Sequence, residues 1–123
     1  MIFKFPIQKK EIVNGKLQKQ KAYIDFDIDV SLASQVRFET KFPELAKHED
    51  IYGYSQRISQ VKELSQAKIL SQLKLLYCWI DTEMTFMEFL KFIDFTDKDY
   101  VKEFTTSMTN AFELILNSSA EKN

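Results

Sequence analysis

The sequence is poor in the residues from which most enzyme sites are built. Among 123 residues, His48 is the only histidine, Cys78 the only cysteine, and Gly15 and Gly53 the only glycines. A metal site needs several converging ligands, a phosphate-binding loop needs a glycine-rich turn, and a nucleophile needs a base beside it. No catalytic, metal-binding or cofactor-binding set can be assembled from these residues. We therefore expect a protein that is not an enzyme, has no cofactor and works by contact.

Neither sign of charge dominates, and long apolar runs are missing. Lys and Arg number 17 against 18 Asp and Glu, a net charge of -1, which gives no field to attract nucleic acid or an anionic membrane. The longest apolar stretches, 75–80 and 84–95, fall short of the ~20 residues that a membrane span needs. A single cysteine cannot form an internal disulfide, and Lys4 and Pro6 interrupt any secretory leader. We expect a cytoplasmic protein without nucleic-acid or membrane partners.

Three isolated features have ordinary explanations. His48 is followed by Glu49 and Asp50 but has no second His or nearby Cys, so we expect a solvated loop and no metal site. Cys78 lies in the apolar run 75–80, which predicts a buried and unreactive thiol. The segment 87–90 is similar to the exit helix of an EF-hand, but the acidic calcium loop and its glycine are missing.

The first thirty residues carry the pattern of a β-hairpin. Asn14-Gly15 tolerates positive φ at both positions and favours a type I′ turn. After it, apolar and polar residues alternate strictly, as in a strand with one buried face. The apolar set is Ala22, Ile24, Phe26, Ile28 and Val30, and the polar set is Lys21, Tyr23, Asp25, Asp27 and Asp29. We expect the three aspartates to face solvent and to discourage edge pairing by their charge, rather than to hold a cation or pair with a basic strand. We expect the Lys- and Gln-rich stretch 8–20 to form an exposed tip.

The rest of the chain has helical periodicity almost to its end. Ser31 is the expected N-cap of a helix that runs toward Lys41, and Pro43 ends it or opens the next turn. Apolar residues then recur at helical steps from Ser55 to Ile80, which predicts one long helix.

Two further helix starts can be located from their capping residues. Thr85 and Glu88 form a capping box for a helix through Ile93, and Asp97 caps a last helix. The sequence thus predicts a single domain over residues 1–123 of the α+β class, mainly helical, with an N-terminal β-hairpin packed on a small bundle of about four helices. Its expected parts are the hairpin (1–30), the helical part (31–116) and a flexible tail (117–123).

The segment from Met84 to Phe95 is apolar almost all round a helix. Such a helix is either the buried centre of a bundle or has a second face for another chain. Burial is the default for large apolar residues, but the segment holds more Phe and Met than one small core needs, and such surfaces are common where a protein holds varied partners. The candidate partner-binding residues here are Phe86, Phe89, Phe92 and Phe95.

Two motifs between residues 28 and 58 resemble a known family. A strand ends in Asp29-Val30-Ser31-Leu32, an Asp-x-Ser/Thr-Leu step, and Arg37-Phe38-Glu39-Thr40-Lys41-Phe42-Pro43 follows as Arg-x-Glu-x-x-Phe-Pro. This order, after a short β-rich start and before amphipathic helices, resembles the tail assembly chaperones of long-tailed phages and prophages of Gram-positive bacteria.

The resemblance implies a non-enzymatic viral protein that coats the hydrophobic tape measure protein and helps recruit tail tube subunits to it. It would be made in the cytoplasm of the bacterial host and be absent from the mature virion, and repeated copies on one long client imply self-association. Members of the family often also have a longer, frameshifted form. No catalytic residues carry over. We expect Arg37, Glu39, Phe42 and Pro43 to fix the first helix against the long one. We expect Tyr52, Tyr54 and Arg57 to form a partner surface.

Two other classes of function fit the same sequence. A structural subunit of a phage tail or head-tail connector would use the hairpin and helices in a fixed ring or stack. A small adaptor or inhibitor domain would bind a host enzyme. Purified particles should contain a structural subunit but no chaperone, and an adaptor would be recovered with a different partner.

Overall fold

The structure is a computed structural model that describes residues 2–63 and 65–121, with side chains only as far as Ile115. Its strands are β1 (Ile2–Val13) and β2 (Lys16–Asp27), and its helices are α1 (Leu32–Lys41), α2 (Pro43–Ala46), α3 (Ile51–Ser59), α4 (Gln66–Trp79), α5 (Phe86–Leu90) and α6 (Lys98–Glu121). The predicted fold class, a mainly helical α+β protein with an N-terminal hairpin, is confirmed. No helix in the described ranges is both long enough and apolar enough to cross a membrane.

The two strands pair antiparallel over their whole length. The register runs from Ile2 opposite Asp27 to Val13 opposite Lys16. Asn14 and Gly15 both have positive φ, 54° and 77°, which a type I′ turn requires. The predicted turn is therefore confirmed. The residues from 9 to 21 are all exposed, as expected for the tip, whereas Gln8 at its base is buried.

The chain divides into two compact units. One consists of the hairpin up to Asp27 together with Thr82–Asn123, and the other is the intervening segment Ile28–Asp81. The single domain over residues 1–123 stays a prediction.

The first unit is built on an aromatic cluster centred on Phe5. This side chain is fully buried, and its ring lies 5.3 Å from that of Phe89, 5.6 Å from Phe104 and 5.9 Å from Phe26. Aromatic rings at such separations gain stability beyond their buried area. A two-stranded hairpin is marginal alone, so this cluster, contributed by both strands, α5 and α6, is what holds the hairpin in place.

Polar contacts reinforce the same attachment along β1 and β2. The Tyr100 hydroxyl donates to the Pro6 carbonyl oxygen at 2.9 Å, and the Gln8 amide group donates to an Asp97 carboxylate oxygen at 3.0 Å. The ammonium groups of Lys10 and Lys19 lie 3.6 and 3.2 Å from Oδ2 of Asp94, whose side chain is only 6% exposed. The base of the hairpin and two lysines of its exposed stretch are therefore tied to α6 and to the segment that leads into it.

Arg37 links the parts of the second unit. Its Nε donates to the carbonyl oxygen of Cys78 at 2.7 Å, and its other nitrogens donate to the carboxylate and the carbonyl oxygen of Asp29. The ring of Phe38 stacks on Tyr54 at 5.6 Å, and Ile28 forms an antiparallel bridge with Ile80. These contacts pack α1 against α3 and the end of α4.

The long helix predicted from Ser55 to Ile80 is wrong. The described chain has six helices instead of about four, chiefly because α3 ends at Ser59 and α4 starts at Gln66. Ser65 causes the new start, since its hydroxyl accepts a hydrogen bond from the backbone N–H of Lys68 and so caps α4. Val61, expected in the helix, lies in the connection and is 40% exposed.

The other helix starts agree better with the sequence. Ser31 caps α1, Thr85 and Glu88 form the predicted capping box, and Asp97 accepts from the backbone N–H groups of Asp99 and Tyr100. The helix that starts after Thr85 is shorter than expected, because it ends at Leu90 and not at Ile93. Helix α6 runs to Glu121 and so covers most of the predicted flexible tail, 117–123. Of that tail, residues 122 and 123 lie outside the described residues.

The buried Asp94 predicts a pH dependence of stability. Hydrogen bonds from Thr96 hold the pKa of this carboxyl well below its usual range, and Lys19 and Lys10 lower it further. A lowered folded-state pKa stabilises the protein above the ordinary aspartate pKa of about 3.9, and that contribution is lost as the pH falls below it.

Replacing Asp94 with asparagine should lower the free energy of unfolding at pH 7 by about 1–3 kcal/mol. The loss of stability of the wild type between about pH 5 and pH 2 should become shallower in this variant. Urea unfolding at several pH values measures both effects, and Glu113→Gln, at an exposed position of α6, is the matched control. Equal pH profiles of wild type and D94N would contradict the role given to Asp94.

Candidate partner-binding surfaces

Helix α3 carries the three residues predicted as a partner surface, but they do not share one face. Tyr52 is 54% exposed, whereas Tyr54 is 2% exposed and stacks on Phe38. The guanidinium of Arg57 lies over the Tyr54 ring, at 5.2 Å from its centroid, and forms a salt bridge with Glu49 at 2.6 Å. Tyr54 is therefore a core residue, because its ring fills the space between α1 and α3. Tyr52 and Arg57 remain accessible.

The four predicted phenylalanines between residues 86 and 95 are also divided. Phe89 is 1% exposed in the Phe5 cluster, and Phe86 and Phe92 are half-buried. Phe95 is 44% exposed, with its ring edge-on to Phe104 at 6.2 Å. Phe89 thus belongs to the core of its unit, and Phe86 and Phe92 are partly covered. Phe95 and, elsewhere in the segment, Met87 at 64% exposure are its most accessible apolar residues.

A groove in the second unit brings the predicted Tyr52 together with Leu32, an exposed apolar residue that was not predicted as part of a partner surface. It has a volume of about 460 Å³ and is lined by residues at the start of α1 and of α3, among them Val30, Leu32, Gln35, Asp50, Ile51 and Tyr52. Leu32 is 82% exposed. Val36, four residues further along α1 and so on the same helix face, is 57% exposed. The i, i+4 spacing of these two aliphatic residues is the sequence signal that they share one face of α1.

The floor of the groove is held by side chains that cap helices. The Oε1 atom of Gln35 accepts from the backbone N–H of Ile51 at 2.8 Å, and the Asp50 carboxylate accepts from the N–H of Gly53 at 2.6 Å. Both bonds satisfy N–H groups at the start of α3 that have no partner within the helix. The groove therefore has fixed walls, with Leu32 and Tyr52 at its opening.

The motif that carried the family resemblance has structural contacts in the second unit. Arg37 makes the hydrogen bonds described above, and the ring of Phe42 lies edge-on to Tyr77 at 6.4 Å. Pro43 opens α2 at its first turn, where its missing N–H costs nothing. These contacts join α1 to α4, the role expected for Arg37 and Phe42, while Glu39 is exposed.

The remaining chemical groups have structural explanations. Burial raises the pKa of the Cys78 thiol to about 12, which makes it the unreactive core residue that was predicted. Hydrogen bonds from Ser31 and then Arg37 lower the pKa of Asp29, and those from Tyr23 and Lys21 lower that of Glu103. Within the described part of the chain, no three or more His, Cys, Asp or Glu side chains lie together as metal ligands.

Comparisons with protein-family models, with curated proteins and with solved structures found no match to this chain.

Substitution of Arg37 should destabilise the second unit. Arg37→Ala removes the donor to the Cys78 carbonyl oxygen and one of the donors to the Asp29 carboxylate, and we expect a cost of about 2–3 kcal/mol. Arg37→Lys should recover only part of this, because an ammonium group lacks the forked donor geometry. Urea unfolding measures the loss against Lys62→Ala, at an exposed position. If R37A is as stable as that control, the linking role of Arg37 is refuted.

Proposed function

We propose that this protein is a non-enzymatic tail assembly chaperone of a long-tailed phage or prophage of Gram-positive bacteria. It binds the tape measure protein and helps to recruit tail tube subunits, acts in the cytoplasm of the bacterial host, and does not remain in the mature virion. The proposal joins the sequence motif around Arg37 to the apolar groove that opens beside Leu32.

The groove is the observation that carries the proposal. Leu32 and Tyr52 in its lining are both largely exposed, and Val36, outside the lining but on the same face of α1 as Leu32, extends the exposed apolar surface. Contiguous exposed apolar surface is typical of an interaction site. An apolar stripe of a client helix fits such a groove, with anchor side chains at i, i+3 and i+4. A tape measure protein, long and hydrophobic in this family, offers many such stripes, so one small chaperone serves a client much larger than itself.

Mass action is the proposed mechanism. Binding withdraws apolar segments of the client from aggregation and stabilises the bound form by an amount set by the chaperone concentration relative to its Kd. At a hundredfold excess over Kd, this amounts to about 2.7 kcal/mol per site. Many weak, reversible contacts suffice, and reversibility is what later release to the tail tube requires.

The acidic side chains with a lowered pKa also agree with a protein that works by binding a partner. Asp29, Asp94, Asp97 and Glu103 all have a lowered pKa, and each owes it first to a hydrogen bond from a neighbouring side chain. Hydrogen bonds within the folded chain therefore explain the lowered pKa values. General acid catalysis at neutral pH would need the opposite shift.

Substitution of Leu32 tests the proposed groove. Leu32→Asp places a charge at its opening, yet an acidic residue is favourable in the first turn of α1, so folding should be unaffected. Co-expressed with the tape measure protein of its own phage or prophage, the wild type should keep that protein soluble, and L32D should bind it about tenfold more weakly. The readouts are the soluble fraction and the Kd for a purified tape measure segment.

The control for this test is Leu114→Asp, because Leu114 is 52% exposed on α6 and lies outside the groove. Equal binding by L32D and the wild type would reject the groove as the client site.

Composition of purified particles separates the proposed function from its alternatives. Mass spectrometry should find the tape measure and tail tube proteins in the particles and not this chain. A fixed number of copies per particle would instead identify a structural subunit of the tail or connector. A pull-down that recovers a host enzyme in place of the tape measure protein would identify an adaptor or inhibitor.

A further inference from the structure

The outer edge of β2 has no strand beside it. Among the described residues, the sheet contains only β1 and β2. The outer edge of β1 is partly used, since the backbone N–H of Gln8 donates to the Phe92 carbonyl and the Tyr100 hydroxyl donates to the Pro6 carbonyl. On β2, the residues from 16 to 21, and then Tyr23, Asp25 and Asp27, are exposed. A long open edge of this kind is a template for pairing with another strand.

The register of the hairpin identifies the residues that face this edge. Val13 and Lys16 flank the two-residue turn and form a hydrogen-bonded pair, so such pairs recur at every second residue. The odd-numbered residues of β2 therefore direct their backbone N–H and C=O groups outward. Pro6, opposite Tyr23, agrees with this assignment, because its ring nitrogen cannot donate and sits on the outer edge of β1.

The charges along this edge are segregated in a self-complementary way. The outward-facing residues near the turn include Lys21, those near the other end include Asp25, and Tyr23 lies between them. If two copies of β2 pair antiparallel about a two-fold axis at Tyr23, Lys21 of each copy lies directly opposite Asp25 of the other. Opposite charges directly across a strand pair are stabilising, and an aromatic pair at the centre adds to this.

The other face of β2 fits the same register. Ala22 and Ile24, both half-buried, lie on the face that carries Phe26. Pairing centred on Tyr23 sets Ala22 of one copy opposite Ile24 of the other, twice. Both faces of the strand are therefore complementary in one register, as an isologous interface requires.

We propose that two copies of this chain associate by antiparallel pairing of their β2 edges, centred on Tyr23, to form a four-stranded sheet. Lys21 also lies 3.2 Å from Glu103 of its own chain, but its side chain remains 56% exposed and is long enough to serve both carboxylates. The pairing gives the exposed hairpin the third strand that such a ribbon needs for stability. A single pair of strands makes only a small contact, so we expect the dimer to be weak and transient.

This strand pairing deepens the proposed function, because it supplies a contact for the self-association that the family resemblance implies, but it is argued from the hairpin alone. Its test needs only the purified protein, so failure here leaves the groove and its client untouched, and failure of client binding leaves this dimer untouched.

Charge exchange between Lys21 and Asp25 is the decisive experiment. Sedimentation equilibrium of the purified wild type should give a monomer–dimer equilibrium below about 1 mM. Lys21→Glu alone and Asp25→Lys alone each place like charges opposite each other twice, and each should weaken the dimer about tenfold. The double variant K21E/D25K restores opposite pairs between copies and should dimerise like the wild type.

The double variant separates pairing between copies from effects within one chain. Within one chain, the double variant sets a carboxylate at position 21 beside Glu103 and an ammonium group at position 25 opposite Lys4. If Lys21 and Asp25 acted only within their own chain, the double variant would therefore be the least stable of the three variants. Lys9→Glu, on β1 and away from the edge, is the control, and circular dichroism verifies the fold of each protein. A wild type that stays monomeric up to about 1 mM, or a double variant no better than the single ones, would overturn the proposal.

Discussion

The burial of Phe5 is the interaction on which the first unit depends. Two antiparallel strands alone are marginally stable, and the Phe5 ring joins them to Phe89 of α5 and Phe104 of α6. Because this anchor lies at the base of the hairpin, the stretch from 9 to 21 extends without a core beneath it. The same anchor thus accounts for a stable base and for a strand edge that remains available to a second copy.

Helix geometry explains in the same way why the second unit exposes apolar groups. Phe38 and Ser34, four residues apart, are buried and fix which side of α1 faces inward. Leu32 and Val36 then lie on the opposite side of the helix, since residues follow each other at about 100°. Arg37 holds this orientation through Cys78 and Asp29. The groove beside Leu32 is therefore a consequence of how α1 is packed, and α1 cannot rotate to hide it without losing these contacts.

Local signals in the sequence were enough for the turn and for the caps at Ser31 and Thr85, but not for the cap at Ser65 or for burial. Asn14-Gly15, Ser31 and Thr85 act through bonds within a few residues, so their roles could be predicted from the chain alone. The apolar spacing across residues 60–65 continues that of a helix, and only the cap formed by Ser65 reveals the break. Tyr54 was predicted at a partner surface, and Phe89 was a candidate for one although burial was the default for its segment. The burial of both depends on Phe38 and Phe5, which are distant in sequence.

Leu32 was missed for a related reason. Its exposure follows from the inward direction of Phe38, and that direction is set from outside the helix by Tyr54, which stacks on Phe38, and by Cys78 and Asp29, which bind Arg37. The i, i+4 spacing of Leu32 and Val36 indicates that the two residues share a face of α1, but it does not indicate whether that face is buried or exposed. Conversely, Cys78 was correctly predicted as buried because its neighbours on both sides along the chain are apolar, and burial then raises its pKa to about 12.

Hydrogen exchange of the whole chain, with and without the tape measure protein, tests most directly that this protein works through its apolar groove. The account predicts that bound client slows exchange of the backbone amides at the start of α1 and of α3, beside Leu32 and Tyr52. Client binding that leaves exchange at both helix starts unchanged would contradict it.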